Sequence, residues 1–138
     1  MRPIFAGIAL AALSATAFAD DWFSVYGDPV QEGAQDLIQI RPASISRGDH
    51  LTIEVRVTRS AVREAYGGGK YRGHHSTAHV DCSRNKAWYT QMKFYGEPQW
   101  AGPVIMSRSF EPEQAPVVFK DIPGQAERLV RAACRLPK

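Results

Sequence analysis

Only two of the 138 residues are cysteine, Cys82 and Cys134. That is too few for a fold built on disulfides, and too few for a zinc ribbon. Neither sign of charge dominates: 17 Lys and Arg face 14 Asp and Glu, a net charge of +3. Such a mild balance points to neither nucleic acid nor an anionic membrane as partner. Beyond residue 19 there is no long apolar run, so no later segment is expected to span a membrane. Nucleotide-binding glycine patterns are missing too. Gly67-Gly68-Gly69-Lys70 lacks the spaced second glycine of a phosphate loop, and Tyr71 stands where Ser or Thr should follow. There is no Gly-x-Ser-x-Gly elbow for a serine nucleophile. A paired cysteine leaves no thiol for Cys–His chemistry. The chain is therefore not expected to be an enzyme; a small secreted hydrolase is the least supported reading. What remains is 44% hydrophobic, too apolar for a disordered chain and long enough for one domain.

Residues 1–19 have the three parts of a secretory leader. Arg2 gives a positive start, residues 4–13 are apolar, and Ala17-Phe18-Ala19 offers small residues for cleavage before Asp20. The apolar part is shorter than the ~20 residues a membrane span needs. The mature chain is then a single domain over residues 20–138. Losing the leader removes one arginine and no acid, which takes the net charge from +3 to +2. No cysteine stands at the cleavage site to carry a lipid anchor, which favours a periplasmic or secreted location over the outer membrane. An exported chain meets an oxidising compartment, so Cys82 and Cys134 are expected to be bonded to each other. Closing so long a loop is worth up to roughly 4 kcal/mol in chain entropy.

Two periodicities organise the mature chain. Residues 51–58 alternate without a break, with Leu51, Ile53, Val55 and Val57 on one face and Thr52, Glu54, Arg56 and Thr58 on the other. Residues 37–40, 76–82, 87–95, 104–106 and 117–119 read as further strands, and 21–26 as a first strand or lead-in. Residues 61–75, with three consecutive glycines, read as an exposed, mobile hairpin loop. Near the end, Ala126, Leu129, Val130, Ala133 and Cys134 recur at helical spacing, with Arg128, Arg131 and Arg135 off that stripe. Cys82 falls on the inward side of its strand and Cys134 on the inward side of the helix. The expected architecture is α+β: an antiparallel sheet of about six strands, with a C-terminal helix packed on one face and disulfide-linked to it. The other face must be solvated, covered by loops or buried in a partner. Trp22, Trp88, Trp100 and five tyrosines are a large supply for so small a sheet, and some are expected to cover that face or to form a dimer or partner surface.

Two groups of residues could carry function. His74, His75 and His79 stand near Asp81, and imidazole with carboxylate suits zinc or copper. Residues i and i+4 on a strand lie roughly 13 Å apart, however, so one ion does not reach both His75 and His79. No metal and no cofactor is expected. Lys70, Tyr71, Arg72, His74, His75 and Arg84 form a basic, partly aromatic patch if the glycine loop folds near the 83–86 turn. Tyr and Arg are common binding anchors, and such a patch fits an acidic partner such as a glycan or an acidic protein segment.

Several segments resemble the surface-adhesin protein E family of Gram-negative bacteria. They are Leu37-Ile38-Gln39-Ile40 with Ser44-Ile45 and Arg47-Gly48-Asp49, the strand at 51–55, and Asp81-Cys82. The last is Ile122-Pro123-Gly124 leading to Leu129 and Cys134. The resemblance runs over residues 22–134. It implies an antiparallel sheet with a disulfide-tied helix, and an adhesin that binds host matrix proteins and haem and forms a homodimer. The chain departs from the family at Arg41, where an acid is usual, and in the more basic 67–75 stretch. An exported, non-catalytic protein-binding role is the expected function. The alternative is a periplasmic inhibitor of an enzyme such as lysozyme, against which the positive charge counts, since like charges slow association.

Overall fold

A computed structural model describes residues 21–30 and 35–137. The leader segment lies outside these described residues. Strand β1 (Phe23–Tyr26) is followed by β2 (Leu37–Arg47), β3 (Leu51–Glu64), β4 (Lys70–Asp81), β5 (Lys86–Tyr95), β6 (Val104–Ser109) and β7 (Ala115–Pro116). Helix α1 (Gln125–Cys134) closes the chain. Each of the first six strands pairs antiparallel with its neighbour in sequence, giving the order β1-β2-β3-β4-β5-β6, and β7 adds to β5.

The unbroken alternation in β3 sets the two faces. Leu51, Ile53, Val55 and Val57 stand opposite Val80, Ala78, Ser76 and His74 of β4, all facing inward. Ile38 and Ile40 extend this surface through β2, and Ala87, Tyr89, Met92 and Phe94 through β5. The apolar stripe of α1 seals part of it: Leu129, Val130 and Ala133 are buried, and Ala126 and Cys134 partly so. Gly124 begins the helix at φ +85°, a conformation that glycine adopts without steric cost. Cys82 and Cys134 are bonded, their Cα atoms 6.0 Å apart. The bond joins the residue just past β4 to the last residue of the helix, as the paired periodicities require.

Two segments differ from the sequence reading. Residues 61–75 are not a long loop. Both strands run on through it, leaving only 65–69 as a tight hairpin in which Gly67, Gly68 and Gly69 all take positive φ. The glycines that broke the pattern are what allow the reversal. The pairing also carries a large bulge, in which residues 59–62 of β3 stand against Arg72 alone. Such a bulge erases the two-residue period. Arg72 stabilises it, its guanidinium donating to the carbonyls of Arg59 at 3.2 Å and Ser60 at 3.4 Å. The second difference is at residues 117–119, expected as a strand. Only Ala115–Pro116 pairs with β5, with one further bond from the Val117 N–H to the Ala87 carbonyl. Val117 and Phe119 are buried and Val118 is exposed, so the alternation there records burial rather than strand pairing.

Candidate protein-binding face

The outer face of the sheet carries the polar halves of the alternating strands, and Trp22 and Trp100 meet on it. Arg56, in the middle of β3, is held between them. Its guanidinium carbon is 4.3 Å from the Trp22 ring centre and 4.2 Å from that of Trp100. Trp22 reaches this place from the residue before β1. Trp100 reaches it from a short 3-10 turn, Pro98–Trp100, in which Gln99 and Trp100 both have positive φ. Three hydrogen bonds hold that turn against the sheet. The Trp100 indole N–H is shared between the carbonyls of Val57 (2.9 Å) and His74 (3.1 Å), and the Gln99 N–H donates to Thr58 Oγ1 at 2.9 Å. Gly73 leaves room for the ring. A Cβ there would come within 2.6 Å of the Val57 carbonyl and 3.5 Å of the Trp100 ring.

Around this stack runs a chain of polar contacts. Arg56 Nε donates to Gln39 Oε1 at 2.7 Å, and Gln39 donates to Ser24 Oγ at 3.0 Å. His75 Nε2 lies 3.1 Å from Glu54 Oε1, and Arg41 donates to the same oxygen at 3.2 Å. Partial burial works to raise the Glu54 carboxyl, but the hydrogen bonds from His75 and Arg41 outweigh it and hold the group below its ordinary value. The Trp22 ring meets His75 edge-on, with centres 5.3 Å apart. The result is a surface on which aromatic rings, a guanidinium and an imidazole are held by contacts with one another.

The sequence-derived patch is dispersed along β4. Lys70 is exposed at the hairpin end, 3.8 Å from Glu64. Tyr71 turns to the inner side, its ring 5.0 Å from Phe94. Arg72 is committed to the bulge. His74 is only 2% exposed and belongs to the core side, with Nδ1 2.7 Å from Ser76 Oγ. Burial, helped by Arg59 and His75, pushes its pKa down to about 3, so it is neutral. His75 alone joins the outer stack. Arg84 lies past the far end of β4, roughly 35 Å along the strand from Lys70. There it bonds Asp81 at 2.7 Å and Glu113 at 3.0 Å, with its guanidinium over Trp88. The histidines likewise do not converge. His79 stacks on His50 with centres 4.1 Å apart, and among the described residues no group of three or more His, Cys, Asp or Glu is arranged to hold a metal. Sequence reasoning placed Arg56 on the solvent side of β3 and noted the surplus of tryptophan. That Trp22 and Trp100 meet on that one arginine depends on the folding of two distant segments, and no local pattern encodes it.

The sequence model of the family described as surface-adhesin protein E matches residues 22–135. The chain belongs to that family. No curated protein and no solved structure matches it. The surface-adhesin match takes in every strand, the helix and both cysteines, and so coincides with the folded unit. Membership supports a surface-adhesin-like protein that acts by binding rather than by catalysis. Among the described residues no helix is long and apolar enough to cross a membrane.

Proposed function

We propose that this chain is exported through its 1–19 leader and works in the periplasm or outside the cell as a non-catalytic binding protein. It takes a host matrix protein or another envelope protein against the outer face of its sheet. The Trp22–Arg56–Trp100 stack carries this reading. Trp and Arg dominate the energetics of protein interfaces, and side chains already held by contacts lose less entropy on binding. Lys70, exposed at the hairpin end of β3 and β4, adds positive charge.

The test uses the mature protein and a panel of immobilised extracellular-matrix proteins, with envelope extract as a second source of partner. Trp22→Ala is expected to weaken binding at least tenfold, and Lys70→Glu to slow association, with far-ultraviolet circular dichroism unchanged in both. Absence of binding by the wild-type protein to either source, or full affinity in Trp22→Ala, would remove the proposal. Inhibition of lysozyme by the purified protein would favour the enzyme-inhibitor reading instead.

A further inference from the structure

The inner side of β1 carries a second surface that the outer-face reading does not use. β1 ends the sheet on its side and pairs only with β2, so its other edge has no strand beside it. Among the described residues, no backbone hydrogen bond from outside the sheet reaches residues 23–26. Unpaired N–H and C=O groups along a strand edge are a template for one more strand, and folded proteins commonly cover or blunt such edges. Here residues 23–25 border a groove of about 390 Å³ that lies between β1 and α1. Phe23 lines it and is 51% exposed, with Ala132 and Leu136 supplying further apolar surface.

The charges along the groove are all of one sign. Arg128, Arg131 and Arg135 line it from α1, and no acidic side chain does. All three arginines are exposed, and none of their guanidiniums makes a hydrogen bond or an ion pair among the described residues. Glu127 of the same helix borders a different hollow, with Lys86 and Trp88, and Asp21, ahead of β1, pairs with none of the three. Spacings of three and four residues put the arginines in one row on the helix, where like charges repel. The helix dipole favours cations at this end, but only over the last turn. At 1.5 Å per residue the row is ~11 Å long. Residues i and i+4 of an extended chain share a face and lie roughly 13 Å apart. Two carboxylates at that spacing on an added strand match the arginine row, and the residue between them shares their face, toward Phe23.

We propose that the groove between β1 and α1 takes an acidic extended segment of another protein, which adds to the free edge of β1 as a further strand and sets its acidic side chains against Arg128, Arg131 and Arg135. Main-chain bonds to the edge supply affinity, and the arginine row with Phe23 supplies the choice of sequence. Trp22, Arg56 and Trp100 meet on the opposite face, so either surface can fail without the other. The experiment is calorimetric titration of the folded mature protein with the peptide acetyl-Glu-Thr-Val-Thr-Glu-Thr-amide. Saturable binding is expected, at least about tenfold tighter than for the same peptide with lysine in place of both glutamates. Arg131→Glu should weaken it at least about tenfold and Phe23→Ser about three- to fivefold. Arg135→Glu gives the same reading where Arg131→Glu does not fold. Lys93→Glu, which makes the same change of net charge at an exposed position of β5, should leave the affinity unchanged. N-methylation of alternate peptide amides, in one set and then in the other, should abolish binding in at least one set, because an added strand turns every second residue's N–H to its neighbour. No saturable binding, equal affinity for the two peptides, full affinity in Arg131→Glu and Arg135→Glu, or full affinity of both methylated sets would each overturn the assignment. Binding of a heparin hexasaccharide through the same arginines, with none of the peptide, would overturn it in favour of a glycan site.

Discussion

His74 shows how much one residue's surroundings decide. In the sequence it reads as one of a basic group; in the fold its place in the inward column of β4 makes it a neutral core residue. That has a measurable consequence. Its folded-state pKa, about 3, lies below the 6.5 of an unperturbed histidine. As pH falls through 6.5 the unfolded chain therefore takes up the proton first, and stability drops until the folded value is reached. The limiting slope is about 1.4 kcal/mol per pH unit. Urea denaturation of the wild type between pH 7 and 4.5 should show this loss, and His74→Leu should flatten most of it. His79, whose value is also lowered, contributes in the same direction and remains in the variant. Equal slopes in the two proteins would show that His74 is not buried neutral. The same alternation that places His74 inward was readable in residues 76–82 and needed only to be carried two residues further toward the N-terminus. The three glycines discouraged that extension.

At the scale of elements, the β3–β4 hairpin holds the main difference between reading and structure. Alternation is a reliable sign of a strand while every residue of one strand faces one of its partner. A bulge of four residues against one ends that correspondence without ending the strand. The strands at 51–58, 76–82 and 87–95 and the helix near the end were legible because their burial follows their own period. The lengths of β3 and β4 were not, because Arg72 and the glycine turn stabilise them through contacts that a local window cannot contain. The glycines can be separated by experiment. All three have positive φ, where an L-residue costs about 1–2 kcal/mol. A Cβ on Gly68 would meet open space, but one on Gly69 would come within 2.6 Å of Met106 Sδ. Gly68→Ala should thus cost only the backbone term. Gly69→Ala should cost more and disturb the β5–β6 edge as well, read as a larger fall in melting temperature. Equal falls would place Met106 elsewhere.

For the whole molecule, the outcome rests on two cysteines that first read only as a scarcity. Their pairing followed from export and from two periodicities, and the structure has the bond joining sheet to helix. The aromatic stack on one face and the groove on the other were not legible. Each is assembled from segments far apart in the chain, Trp22 with Trp100 and Phe23 with Arg131, and sequence proximity carries no trace of such meetings. The Cys82→Ser, Cys134→Ser double variant should lose up to about 4 kcal/mol of stability, measured by urea denaturation against the oxidised wild type. A loss near zero would mean that α1 docks as firmly without its tether.

The order of the strands has a consequence for the time course of folding. Every strand in the main path pairs with the one made just before it, so an emerging chain can add each strand to a finished edge. Pairing each strand with its neighbour in sequence keeps contact separations shorter than a crossover topology would. Cys134, near the end of the chain, comes last, and it needs a position that the sheet has already built. An oxidant acting on this protein therefore meets a sheet that already holds Cys82 in place, and with no third cysteine in the chain no wrong intramolecular bond can form. Oxidative folding here is a closing step, in which covalent chemistry secures an arrangement that noncovalent assembly has already reached.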